Sequence, residues 1–297
     1  MFVIKYRWAF IIISLVMVVA SYVAIGAYGL NWGMDFKGGS ILEVEYATST
    51  RPTVAVAQTT LTPLNLGAVS LQSIGERGLI LRANPLSESE HQKILTAFAT
   101  LGKFEEKRFS TVGPTLGQEL AKKGAVAIAI VVLLIIAYIA FAFRSVSRPV
   151  SSWKYGVVAI LALIHDISVP TGIFAILGHF RGVEIDALFL TALLTILALS
   201  VNDTIVVFDR IRENLRRKAA ATFAETVGKS LNETFVRSLN TSLTVIFALA
   251  ALLLFGSEST RYFALALMIG MVVGTYSSIF IASPLLVMWH NWQEKKK

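Results

Sequence analysis

Six blocks of about 20 mostly apolar residues punctuate the chain, each long enough to cross a hydrocarbon core of roughly 30 Å as an α-helix. The first runs from Trp8 to about Tyr28, and the others occupy about 124–143, 155–177, 187–208, 239–255 and 262–289. Residues 31–123 break this rhythm with shorter polar and apolar alternation punctuated by Gly and Pro. Within them Ile41-Leu42-Glu43-Val44-Glu45-Tyr46 alternates with period two and predicts a strand, as does Leu79–Ala83. Thr53–Leu61 has helical spacing, and Ser87-Glu88-Ser89-Glu90 is a capping box that starts a helix reaching about Leu101. A strand over Phe104–Phe109 completes a β-α-β-β-α-β arrangement. The expected fold is a polytopic α-helical membrane protein. It has six transmembrane helices and a small α/β, ferredoxin-like domain between helices 1 and 2. Residues 113–123 read as a linker and short helix into the second span. Between the fourth and fifth spans, Phe223, Val227, Leu231 and Phe235 recur at steps of four, predicting an amphipathic helix over about 219–235 lying on the membrane surface.

Charge then orients this frame. The chain has 297 residues, 55% hydrophobic and 15% charged, with a formal net charge of +8. The basic residues gather in segments flanking alternate spans: Lys5 and Arg7; Arg144, Arg148 and Lys154; Arg210, Arg212, Arg216, Arg217 and Lys218; and Lys295–Lys297. That bias places both termini in the cytoplasm and residues 31–123 outside it, in the periplasm or its equivalent. It also accounts for the positive charge without a nucleic-acid partner. A signal peptide is the alternative for the first block, but the block is longer than a usual signal core and no small-residue cleavage site ends it. With no cysteine, the chain has neither a disulfide framework nor a thiolate metal site. P-loop, GxSxG, HExxH and dinucleotide fingerprints are lacking, so the reading is of a transport subunit without an ATPase motif, metal or cofactor, driven by an ion gradient or a partner.

Few ionisable residues fall inside the spans, and these carry the candidate chemistry. Asp203 lies about 8 Å inside the fourth span at ~1.5 Å per residue, too deep for an ordinary end-of-helix acid. Arg237 opens the fifth span at similar depth, making a salt bridge or water-linked pair available. One reading is a static pair orienting two helices. The other is a proton relay in which Arg237 and burial push on Asp203 in opposite senses. Asn202 and Thr204 flank the acid. His165-Asp166 lies midway through the third span and reads either as helix-to-helix hydrogen bonding or as part of the relay. Asp209, Arg210, Arg212 and Glu213 at the membrane exit read as an interfacial salt-bridge lattice, with a partner subunit or anionic lipid as the other use. Ala266, Gly270, Gly274, Ser278 and Ala282 form a small-residue stripe at steps of four, a packing face for the same bundle or for a second subunit.

Together these features resemble the SecF family, subunits of the SecD-SecF protein-export complex within the resistance-nodulation-division superfamily. The most specific segment is the run from Val201 to Asn214. Gly33-Met34-Asp35-Phe36-Lys37-Gly38-Gly39 is similar to the family's glycine-rich entry to the outer domain, with Met34 and Lys37 as departures. Val112-Gly113-Pro114-Thr115-Leu116-Gly117 is similar to the motif before its second span. The resemblance implies an inner-membrane subunit that uses the proton-motive force, with SecD, to assist translocation through SecYEG. It further implies Asp203 and Arg237 on the proton path, a further acid from SecD, and as partners the translocating polypeptide, membrane lipid and YajC. A non-transporting scaffold of the translocon and a small-molecule exporter of the same superfamily are the competing expectations.

Overall fold

The computed structural model describes residues 2–47, 51–142, 151–256 and 258–295. The expected basic segment at Arg144 and Arg148, Phe143 at the end of the second block, and Lys296–Lys297 lie outside the described residues. Among the described residues six helices are long and apolar enough to cross a membrane. The chain divides into two compact units, Trp32–Ala125 on one hand and Met1–Asn31 with Val126–Lys297 on the other.

The smaller unit contains β1 (Gly39–Tyr46), β2 (Val69–Ile74), β3 (Gly78–Ala83) and β4 (Phe104–Val112). These form one sheet of order β2-β3-β1-β4 in which every neighbouring pair is antiparallel. A helix precedes β2 at Val54–Leu61 and another precedes β4 at Glu88–Ala99, giving the β-α-β-β-α-β order the sequence predicts. Alternation explains the packing. Leu42 and Val44 of β1 stand opposite Leu81 and Leu79 of β3, and all four are buried with Ile94 and Phe98 of the second helix. Ser87 and Glu90 form the expected capping box. Strand β2 was not legible in advance, because its polar Ser70, Gln72 and Ser73 leave only a weak period.

Two motifs separated by some 75 residues close on each other in this unit. Gly38 has φ +82°, and a Cβ there would lie 2.8 Å from Pro114 Cα. A Cβ on Gly117 would lie 2.8 Å from Phe36 O. Backbone meets backbone at both positions, which only glycine permits.

The larger unit begins with α1 (Phe2–Lys5) and α2 (Arg7–Tyr28), followed in the smaller unit by α3 (Met34–Lys37), α4 (Val54–Leu61) and α5 (Glu88–Ala99). The remaining helices are α6 (Pro114–Ala142), α7 (Ser152–Arg181), α8 (Ala187–Arg216), α9 (Phe223–Phe255), α10 (Glu258–Ser277) and α11 (Ser283–Glu294). Helix α7 packs on α2 and α8, and α10 packs on α7, α8 and α9. A Cβ on Gly172 would lie 2.4 Å from Ser21 Cβ, so α2 and α7 approach closely.

Three sequence expectations are corrected here. The separate helices expected over 219–235 and 239–255 are one helix, α9, of 33 residues. Its start is fixed by a Thr222–Glu225 capping box, and no Gly or Pro between Lys229 and Phe255 breaks it. Nor does its first half lie free on a surface: Phe223, Val227 and Leu231 are buried with Phe208 and Ile211 in the core. Phe235 has left that face, because steps of four residues drift about 40° each on a 3.6-residue helix. Of the linker and short helix expected over 113–123, the helix is present but runs without a break from Pro114 into the second span as α6. The last span is interrupted by a π-helical turn at Ser278–Ala282. Pro284 lacks the N–H that would bond Phe280 O, so the ladder changes register there.

Candidate functional site

Helices α7, α8, α9 and α10 meet along a seam of hydroxyl groups that holds both intramembrane acids. Fully buried Asp166 of α7 accepts hydrogen bonds from Ser200 Oγ of α8 at 2.5 Å and Ser277 Oγ of α10 at 2.7 Å. Its other oxygen lies 3.0 Å from His165 Nδ1. One carboxylate thus ties three helices. His165 stacks on Tyr276, whose hydroxyl donates to Phe10 O of α2 at 3.1 Å, while His165 Nε2 is buried with no hydrogen-bond partner among the described residues. Thr204 of α8 shares a 2.8 Å hydrogen bond with Ser278, the first residue of the π-helical turn.

Asp203 lies on the other side of this seam. Its Oδ1 accepts from Ser238 Oγ of α9 at 2.5 Å, and its Oδ2 is buried without a hydrogen-bond partner among the described residues. Ser238 O accepts from Ser242, and Ser242 and Thr275 join α9 to α10 through their hydroxyls. Asp203, Asn202, Ser200, Arg237, Ser242 and Thr275 line a cavity of about 150 Å³ between α8, α9 and α10. Ser200 therefore touches this cavity on one side and Asp166 on the other.

Arg237 and Asp203 share that cavity without closing an ion pair among the described residues; the guanidinium is exposed. Arg237 and Val206 also line a second, more open cavity of about 670 Å³. Its wall carries the charged lattice the sequence predicts: Arg210 pairs with Glu213 at 2.5 Å and Glu233 at 2.6 Å, and Arg212 with Asp209 at 2.7 Å. A polar vestibule and an acid-bearing pocket thus share Arg237 and Val206 in their walls.

The small-residue stripe faces inward. A Cβ on Gly270 would lie 2.2 Å from Ile196 Cδ1, and one on Gly274 would lie 3.0 Å from Ser200 Cβ, both on α8. Ala266, Ser278 and Ala282 are buried. The stripe brings α10 close enough for Ser277 and Ser278 to reach Asp166 and Thr204. Sequence reasoning missed Ser200, Ser238, Ser242, Thr275, Ser277 and Tyr276. The available signal was hydroxyl residues recurring within apolar blocks, at 238 and 242 and at 277 and 278. Among the described residues no cluster of His, Asp and Glu could hold a metal ion.

The fold and the site define a multi-pass helical membrane protein with an α/β domain inserted after its first span and acids clasped inside its helix bundle. Residues 91–292 match the family of protein export membrane protein SecD/SecF, C-terminal, and residues 23–50 match the SecD/SecF GG motif. The protein translocase subunit SecF of Thermobaculum terrenum is 44% identical, covering 97% of this chain and 94% of the relative. That of Anaerolinea thermophila is 39% identical, covering 96% and 92%. The crystal structure of SecDF, a translocon-associated membrane protein from Thermus thermophilus, superposes with a TM-score of 0.82 at 32% identity over 97% of this chain. A structure of SecDF in a super-membrane-facing form gives 0.67 at 31% identity. The chain belongs to the SecF family of protein translocase subunits. It spans 38% of the length of the matched SecDF chain.

Proposed function

We propose that the chain is the SecF half of a SecD-SecF assembly in the inner membrane, where proton movement through Asp203 drives polypeptide translocation through SecYEG. The observation that carries this reading is the pair of cavities joined at Arg237, with Asp203 in the inner one. At about 150 Å³ the inner cavity has room for a few water molecules, each taking ≈ 30 Å³ in the liquid, and is well below the ~300 Å³ of a small-molecule pocket. That favours a proton path over the small-molecule exporter.

The chemistry follows from the partners. Ser238 holds one oxygen of Asp203, and the other, buried and without a hydrogen bond among the described residues, can take a proton or a hydrogen bond once the helices shift. Arg237, with no partner among the described residues, supplies a fixed positive charge at the mouth of the cavity. When Asp203 is charged it attracts that guanidinium; when it is neutral the attraction lapses. Protonation thereby changes the force between α8 and α9, and motion of those helices is the step that reaches the translocating polypeptide. The SecD acid implied by the resemblance supplies the other wall. Both termini lie in the cytoplasm, the α/β domain outside it, and YajC and membrane lipid complete the surroundings.

The test uses membrane vesicles carrying the translocon and the SecD-SecF pair. Asp203→Asn is expected to lose the proton-dependent increment of export while co-purifying with SecD in normal yield. An unchanged increment would sink the relay. A parallel fall in co-purification and export would favour the scaffold.

A further inference from the structure

The larger unit carries a second open groove, remote in composition from the acid seam. It measures about 600 Å³ and lies between the start of α2, the first turns of α7 and the end of α11. Arg7 and Lys295 stand on it, Trp8, Trp289 and Trp292 form its walls, and Val158, Leu161 and Leu285 line its apolar part. No Asp or Glu is among its lining residues. Arg7 donates through Nη1 to Ile4 O at 3.0 Å, yet its Nε is buried with no hydrogen-bond partner among the described residues. Behind Trp289, Lys154 sits 5.8 Å from the indole centre and donates to Gln293. Glu294, next to Lys295, is turned to His290 at 3.4 Å.

Helix ends bearing Trp, Lys and Arg are the ones that lie at headgroup level, so this groove opens where a lipid phosphate meets its acyl chains. Two cations with no carboxylate among the described lining residues call for an anion, and the apolar wall calls for hydrocarbon attached to it. A lipid phosphodiester satisfies both, and a net negative headgroup satisfies the uncompensated second cation. We infer that this groove is a binding site for one anionic phospholipid, its phosphate held by Arg7 and Lys295 and an acyl chain laid along Leu161 and Leu285.

The probe is the tryptophan fluorescence of the full chain in phosphatidylcholine vesicles containing a minor fraction of brominated phosphatidylglycerol or, in a matched set, brominated phosphatidylcholine. Quenching by the anionic lipid should exceed that by the zwitterionic one. The preference should fall about fivefold in lipid-exchange affinity for each of Arg7→Gln and Lys295→Gln, the value of one basic residue at an anionic membrane surface. Arg7→Lys should retain most of it. Lys295 lies past the last helix, so its substitution leaves the fold intact and keeps the test open if Arg7→Gln fails to fold. Equal quenching by the two lipids, a preference indifferent to both substitutions, displacement by inorganic phosphate alone, or loss of the preference when the SecD partner is added would each overturn the proposal.

Discussion

Asp166 and Asp203 are both acids inside apolar helices, yet their surroundings assign them different work. Asp166 accepts two serine hydroxyls from two other helices and meets His165, leaving no contact with open space. Removing it leaves the buried Ser200 hydroxyl unpaired, at a cost of ≈ 1–3 kcal/mol, while Ser277 keeps its bond to Gly274 O. Asp166→Ala should therefore lower the thermal midpoint of the purified chain clearly, and Asp166→Asn, which still offers an acceptor, should lower it much less. Equal midpoints for wild type and Asp166→Ala would show that the clasp contributes nothing. Asp203 lines a cavity, takes one hydrogen bond from Ser238, and keeps its second oxygen buried near Ser278 with no hydrogen bond closed among the described residues, the arrangement of a group that exchanges partners. The sequence announced Asp203, Arg237 and Asp166, because charge in an apolar block is conspicuous. It did not announce Ser200, Ser238 or Ser277, since serine is common in membrane helices and which of them meets an acid depends on how helices rotate against each other.

At the scale of elements, the closeness of α10 to α8 is what assembles the seam. Gly270 leaves no room for a side chain beside Ile196. Gly270→Val should push the helices apart, destabilise the bundle by about 1–3 kcal/mol as overpacking does, and reduce export even though it touches neither acid. A thermal midpoint equal to wild type would contradict this account of the interface. The spans were legible from their length and hydropathy, whereas the joining of residues 219–235 to 239–255 was not. Arg237 and Ser238 look like a break in an apolar pattern, but neither residue stops a helix. The same uninterrupted helix carries Glu233 of the charged lattice and the Arg237–Ser238 pair of the inner cavity. The π-helical turn was readable only as Pro284 in a long span, which does not by itself distinguish a kink, a π-turn or a helix end.

On the scale of the whole molecule, the two units have separate hydrophobic cores, and the smaller has its own titration signature. Residues 32–125 should fold alone and give a mixed α/β circular dichroism spectrum. Tyr46 is the only tyrosine in that segment; it is buried, and burial pushes its hydroxyl up to about 12. A folded-state value above the unfolded value means the native domain holds a proton that the unfolded chain releases. Stability is thus fully present below about pH 10 and falls as pH rises from 10 toward 12. Absorbance of the fragment at alkaline pH should show phenolate appearing near pH 12, and Tyr46→Phe should flatten that part of the stability curve; ionisation near pH 10 in the folded fragment would contradict the burial. For the larger unit the central claim concerns protons, and it is tested most directly by measuring them. The chain and its SecD partner, reconstituted with the translocon around a pH-sensitive dye, should pass protons when a polypeptide is translocating under an imposed gradient. Asp203→Asn, assembled in the same yield, should reduce that flux to background. Undiminished proton flux through the Asp203→Asn assembly would contradict the account.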